Sequence, residues 1–328
     1  MNITGLNQTD GCLPYTCPER SISTAVYVLL YICAAAVVLL TVCGNLLIII
    51  SVCHFKQLHT PTNMLILSLA MSDFLIGALV MPVLLIWMIE SCWIFRRVYC
   101  ICFLLTSYFF TSTSIYNIAL IAADRYFALS NPFLYTKAVS VSAMCTIVIC
   151  NWFVLLLYIL ALLYFNIPFV NIIMCPGDCF LLLDEIWSLV DLLFTFVLPF
   201  TIIIVLYTLV FFIARKHATA IRELNAQTRT QTLQTMTDSK LERKAAKAVT
   251  ILIFVFIACL FPYFVYTLLG NVVKIEFESF QNVFILLYLN SAINPVIYAL
   301  FYPWFRKCVK LISTLQIFKT DSALMNVL

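Results

Sequence analysis

Seven apolar stretches recur along this 328-residue chain, near residues 24–50, 61–89, 97–129, 142–165, 185–213, 243–269 and 280–302. Each is long enough to cross a bilayer, which takes about 20 helical residues at about 1.5 Å rise. Hydrocarbon offers no partner to backbone N–H and C=O groups, so a helix, which bonds its own, is the expected form of every crossing. Composition agrees: 64% of the residues are hydrophobic and 10% charged, whereas a soluble domain is about 45–50% apolar and about 25% charged. The expected fold class is an all-α membrane protein, a seven-transmembrane helix bundle.

Lys and Arg set its orientation. The ends and loops on one side hold Lys56, Arg125, Lys137, Arg215, Lys216, Arg222, Arg229, Lys240, Arg243, Lys244, Lys247, Arg306, Lys307, Lys310 and Lys319. The other side holds Arg20, Arg96, Arg97 and Lys274, a division of 15 against 4. The amino terminus is therefore expected outside and the carboxyl terminus inside. Two glycosylation sequons agree, at Asn2 and Asn7, since they matter only in the lumen. The first 23 residues are too polar for a cleavable signal, so the first span is expected to act as an uncleaved anchor.

The connections carry their own signals. Residues 166–184 are expected to form an outer loop and 214–242 the longest inner loop, bounded by Arg215-Lys216 and Glu242-Arg243-Lys244. After the last span, Trp304–Ile312 alternates basic and apolar residues at helical spacing. This predicts a short amphipathic helix on the inner membrane face. Cys308 within it is open to two readings, a palmitoylated residue or an unmodified interfacial one. Of the 14 cysteines, Cys12, Cys17, Cys92, Cys100, Cys175 and Cys179 fall on or near the outer, oxidising side and are candidates for disulfides.

Charges inside the spans are few, and each is costly enough to need a reason. Away from the outermost turns they include Asp73 in the second span, Asp124-Arg125 toward the inner end of the third, and Asp191 in the fifth. Around them stand Gly44-Asn45, Asp124-Arg125-Tyr126, Trp152, Pro199 with Tyr207, Cys259 with Pro262, and Asn294-Pro295-Val296-Ile297-Tyr298, in that order. Together these resemble the pattern of rhodopsin-like G-protein-coupled receptors across all seven spans. Asn290–Phe305, His54–Asn63 and Ile89-Glu90-Ser91-Cys92-Trp93 further resemble trace amine-associated receptors. In those terms the chain divides into an extracellular tail (1–23), a receptor domain (24–302) and an amphipathic helix with cytoplasmic tail (303–328).

The resemblance implies a plasma-membrane sensor of volatile amines, olfactory in most relatives. It implies signalling through a stimulatory G protein to cyclic AMP. It implies a switch in which Arg125 pairs with Asp124 and with Glu242 at the base of the sixth span, assisted by Tyr126, Tyr207, Pro295 and Tyr298. Pro199, Ile115 and Phe256 are the positions that link pocket to helix movement. Asp73, Asn45, Ser114, Ser291 and Asn294 are implied to gather at mid-membrane, around a sodium ion or as a polar network without one. A Cys100–Cys179 bridge is implied, and a Cys17–Cys175 bridge with Cys12 as a competitor for Cys175. No other cofactor and no nucleic-acid partner is expected.

The sequence departs from most amine receptors in one place. Their third-span Asp, eighteen residues before the Arg of Asp-Arg-Tyr, is Ser107 here. Asp191, eight residues before Pro199, stands where some trace amine-associated receptors, especially in fish, carry an acid. Two readings of Asp191 stay open, a relocated ammonium anchor and an acid bonded between helices for structure. Ser107, Tyr108, Thr111, Tyr263, Phe264, Phe284 and Tyr288 are expected to line the pocket with it. Aromatic faces favour cations by roughly 0.5–2 kcal/mol each. Leu260 replaces the Trp that most relatives carry above the sixth-span proline. Among rival classes, a transporter would show paired halves with broken helices, and none is visible. An enzyme is not expected, because His54, His59 and His217 have no metal-ligand spacing and no Ser/His/Asp set converges. A rhodopsin-like receptor for a non-amine ligand is the remaining alternative, and Ser107 is its best support.

Overall fold

Lipid gives an apolar side chain little reason to turn inward, and here many face outward: Leu39 is 61% exposed, Leu300 65% and Phe254 73%. The computed structural model describes residues 23–173, 179, 183–227, 251, 254–263, 265, 277–319 and 321–327. Its membrane helices are α1 (Thr24–His54), α2 (Pro61–Glu90), α3 (Arg97–Ser130) and α4 (Val141–Ile173). They continue with α5 (Glu185–Gln227), α6, described over Phe254–Tyr263, and α7 (Phe277–Phe301). The predicted amphipathic helix is present as α8 (Pro303–Ser313). A short helix, Pro132–Ala138, follows α3. The seven-helix expectation holds.

Local sequence explains how these helices begin and bend. Proline has no N–H to lose in a first turn, and Pro61, Pro132 and Pro303 stand there. The Thr60 hydroxyl caps α2 by accepting from the Asn63 N–H at 3.3 Å. Inside a helix proline breaks the bond to the carbonyl four residues back. Wider, π-type turns precede two such prolines: Ile76–Val80 before Pro82 and Leu192–Val197 before Pro199.

Two connections are shorter than hydropathy suggests. α4 runs on to Ile173, into the expected outer loop 166–184. α5 runs on to Gln227, well into the expected inner loop 214–242. Loss of hydropathy marks the membrane edge, not the end of a helix. Residues 214–227 hold four Ala and two Arg, with Lys216, Glu223, Leu224 and Gln227, all good helix formers that propagate a helix already begun.

Without a hydrophobic drive between helices, close approach and buried polar contacts hold the bundle. The Trp152 indole of α4 donates to Ser68 Oγ of α2 at 2.9 Å, and that hydroxyl donates to Asn117 Oδ1 of α3, also at 2.9 Å. Tyr27 and Tyr31 of α1 both donate to Glu90 Oε1 at the end of α2. α1 reaches α7 where Gly44 meets the Pro295 ring, and α2 reaches α1 where Gly77 meets Thr41.

At the basic end an apolar cluster joins Ile48, Val52, Phe55 and Leu58 to Tyr298, Trp304, Phe305 and Cys308. Cys308 is fully buried there, and burial pushes its thiol up to about 11. A thiol so enclosed and so rarely ionised is a poor acylation target, which favours the unmodified reading. The tail folds back onto the same cluster. Ser322 Oγ donates to the Ile317 carbonyl at 2.6 Å, so His54 Nε2 is the donor in its 2.9 Å bond to that oxygen. The Val327 N–H donates to Gln57 Oε1 at 3.1 Å, and the Val327 side chain is fully buried.

A Cβ on Gly44 would lie 2.6 Å from Pro295 Cβ, whereas one on Gly77 would meet the Thr41 methyl at 2.8 Å. The proline ring cannot rotate away. Gly44→Ala is therefore expected to cost about 1–3 kcal/mol by overpacking and to lower the detergent-solubilised melting temperature more than Gly77→Ala does. Equal or absent shifts in a thermal-unfolding assay would contradict the α1–α7 contact.

Candidate functional site

Three sites grow from the bundle. The first is at mid-membrane. Asp73 is fully buried, and its carboxylate accepts from Asn294 Nδ2 at 2.6 Å, Ser291 Oγ at 2.8 Å and Ser114 Oγ at 3.1 Å. Asn45 does not touch Asp73. Its Nδ2 donates to the Ser291 carbonyl at 3.1 Å and to the Thr41 carbonyl at 2.9 Å, and its Oδ1 is buried with no hydrogen bond. The structure thus gathers all five residues expected there, with Asn45 one step removed.

The second is the cluster around Asp191. α5 starts at Asp184, whose side chain accepts from the Trp187 N–H at 2.7 Å, so Asp184 is a helix cap. Seven residues on, Asp191 Oδ1 accepts from the Tyr158 phenol of α4 at 2.8 Å. The Tyr158 ring packs on Phe194 at 4.4 Å between centroids. Phe194 in turn packs on Tyr116 of α3 at 5.5 Å, and the Tyr116 hydroxyl donates to the Phe194 carbonyl at 2.8 Å, within the wide turn. Tyr108 lies beside Tyr263 and within electrostatic reach of Asp191 and Tyr288. Phe284 joins Tyr263 at 5.4 Å and stacks on Tyr288 at 6.3 Å. The hydroxyls of Ser107 and Thr111 face the Tyr288 phenol and are buried without a hydrogen bond to any described group. Asp191 forms no ion pair among the described residues. Phe264 lies outside them.

Tyr158 was missed by sequence reasoning. Its signal was a single phenol in the apolar run Leu155-Leu156-Leu157-Tyr158-Ile159, but nothing in the sequence says which acid it meets.

The third is at the basic end of α3. The expected Asp124–Arg125 pair is not formed. Asp124 is buried, and its two oxygens accept from Thr62 Oγ1 of α2 and from the Tyr135 phenol, both at 2.7 Å. Burial, with the Asp124 carboxylate adding to it, raises the Tyr135 phenol above its usual range, so the proton stays on the donor. These hydroxyls satisfy the carboxylate and leave the guanidinium free to turn inward. Arg125 lies within electrostatic reach of Tyr207, Tyr298 and Tyr302, and its Nε is buried without a hydrogen bond. Tyr126 is half-buried. Glu242 lies outside the described residues. Ile115, Pro199 and Phe256 are all buried, Phe256 fully, and Leu260 packs in the same core.

At the opposite end, Cys100 at the start of α3 is bridged to Cys179, with Cα atoms 5.7 Å apart. Cys92 is also disulfide-bonded, to a residue outside the described set. The resemblance did not place Cys92 in a bridge. Cys12, Cys17, Cys175, Asn2 and Asn7 lie outside the described residues.

Removing both donors from Asp124, by Thr62→Val with Tyr135→Phe, is expected to return the carboxylate to Arg125. Each hydrogen bond to a charge is worth about 1.5–3 kcal/mol. Basal nucleotide exchange on a G-protein panel is expected to fall several-fold at matched surface expression. Unchanged basal exchange would count against this role for the two hydroxyls.

A sequence profile described as "7 transmembrane receptor (rhodopsin family)" matches residues 44–298. Trace amine-associated receptor 4 of Rattus norvegicus is 35% identical over 322 residues, covering 94% of this chain and 91% of its own. Trace amine-associated receptor 13c of Danio rerio is 35% identical over 281 residues, covering 83% and 82%. Trace amine-associated receptor 6 of Homo sapiens is 36% identical over 322 residues, covering 95% and 92%. Mammalian and fish relatives match equally well, so identity alone does not favour a fish type. The chain, a receptor and not an enzyme, belongs to the rhodopsin family of seven-transmembrane receptors and, within it, to the trace amine-associated receptors.

Proposed function

We propose that this receptor sits in the plasma membrane with its amino terminus outside, glycosylated at Asn2 and Asn7, and senses a small amine in an olfactory setting. The ammonium is held by Asp191, and the bound state signals through a stimulatory G protein to cyclic AMP. One observation carries the reading. Asp191 is a carboxylate within a membrane helix, bordered by aromatic rings, with a neutral phenol and no cation as its described partner. A primary amine supplies the missing positive charge and a charge-assisted hydrogen bond. Tyr108, Tyr263, Phe284 and Tyr288 offer ring faces to the same cation. The names of the relatives agree with an amine ligand.

The Asp73 cluster fits a sodium ion. Two rotatable hydroxyls, of Ser291 and Ser114, donate to Asp73 Oδ1, and Asn45 Oδ1 is an orphaned acceptor nearby. When bound, sodium supplies a positive charge to a fully buried carboxylate. The chain's part is to hold Asp73 between α3 and α7 so that these helices move together.

A non-amine ligand is the second reading. The buried, unbonded hydroxyls of Ser107 and Thr111 favour it, since they would suit a neutral polar group.

Two experiments test these assignments. In a cyclic-AMP dose–response series over amines, Asp191→Ala is expected to cost about 3–5 kcal/mol, as for breaking a buried pair. That is about two to four decades of potency, whereas Ser107→Ala costs about one decade or less. If Asp191→Ala responds like wild type and Ser107→Ala fails, the ligand is not held as a cation on α5. For sodium, the purified receptor is expected to melt at a higher temperature in sodium chloride than in N-methylglucamine chloride. Asp73→Asn removes the difference, and an equal difference in that variant would dismiss the ion.

A further inference from the structure

Resting on the reading of Asp191 as the ammonium anchor, we propose that Tyr158 is its positioning residue. By engaging one carboxylate oxygen, Tyr158 leaves the other as the free acceptor, so that the site accepts a primary ammonium and disfavours the two-point fork of a guanidinium.

The geometry fixes the phenol from three helices. Its hydroxyl donates to Asp191 Oδ1 at 2.8 Å, and its ring is held on Phe194 at 4.4 Å. Phe194 is backed by Tyr116, which both packs on its ring and bonds its carbonyl. That carbonyl lies within the wide turn at Leu192–Val197, where the regular helical ladder is interrupted. Tyr116 therefore supplies a donor where the helix does not. The phenol cannot drift without disturbing α3, α4 and α5 together.

On the other side, the Thr195 hydroxyl beside the carboxylate is committed to the Asp191 backbone carbonyl at 2.7 Å. Oδ2 makes no hydrogen bond among the described residues. A guanidinium binds a carboxylate best as a fork, two parallel N–H groups on two oxygens. Here one oxygen is engaged by a neutral donor that is locked in place. An ammonium is a compact point charge with three rotatable N–H donors, and one of them suffices to bond the other oxygen. The phenol bond also steadies the charged carboxylate without cancelling it, so the attraction for a cation remains.

The test uses full-length purified receptor with n-alkylamines of three to eight carbons and the chain-matched n-alkylguanidines. Binding is read from ligand-dependent thermal stabilisation. Wild type is expected to prefer the amine by about tenfold or more, which corresponds to about 1.4 kcal/mol. Tyr158→Phe keeps the ring on Phe194 and removes the donor. It is expected to weaken the amine and strengthen the guanidine, shifting the ratio by about tenfold. A purely structural role would weaken both alike, and an unchanged ratio overturns the proposal. Tyr158→His restores a ring N–H donor and is expected to recover the amine preference, which keeps the test decisive if the Phe variant does not fold. Asp191→Asn separates the two levels of failure. If amines bind wild type and Asp191→Asn equally, the anchor reading fails and takes this one with it. If amines need Asp191 but the ratio ignores Tyr158, only the present assignment falls.

Discussion

A fully buried carboxylate at the middle of α2 sets the terms on which α3 and α7 pack. In lipid the apolar faces of the helices gain little by meeting one another, and a polar group left alone costs far more than it would in water. Asp73 escapes that cost because Ser114, Ser291 and Asn294 arrive together. Any sliding of α7 along α2 strips the carboxylate of two donors at once. The small residues support the same arrangement, since Gly44 lets α1 close on Pro295 one residue beyond Asn294. Helix association here is specified by a few polar atoms and by missing side chains, not by a large apolar seam.

The same rule operates at both ends of α3. Near the disulfide end, Tyr158 and Thr195 surround Asp191 with neutral groups. At the basic end, Thr62 and Tyr135 do so for Asp124. Each carboxylate is hydrogen-bonded, so neither needs an ion pair to be tolerated. Asp191 and Arg125 are then left without an ion pair among the described residues, the arrangement that the proposed amine anchor and switch require. Tyr116 and Asp124 stand on one continuous helix that spans the distance between them.

Much of this was legible in the sequence, for physical reasons. Bilayer thickness and the lack of water force long apolar runs, so the spans could be placed to within a few residues at most ends. A charge inside such a run draws attention to itself, which exposed Asp73, Asp124 and Asp191. Partner choice was not legible. The Asp124–Arg125 pairing looked natural because the residues are adjacent, but adjacency says nothing of the donors that other elements bring to the same carboxylate. Thr62 and Tyr135 win because the turn before Pro61 and the short helix after Pro132 bring their hydroxyls to that carboxylate. Tyr158 was hidden because its role depends on how α4 meets α5. The overlong α4 and α5 were missed because polarity was taken for the end of a helix.

The tail has a practical consequence for anyone who labels this receptor. Val327 is fully buried beside Phe55 and Leu58, and its backbone is tied to Gln57. A fluorescent protein or affinity tag fused directly behind it starts from a packed residue, not from a free end. The fusion's bulk would pull the valine out and open the cluster that also encloses Cys308. Such a reporter would record a receptor whose first turn and amphipathic helix had been pried apart, so a long spacer or an internal label on α5 is the sounder design.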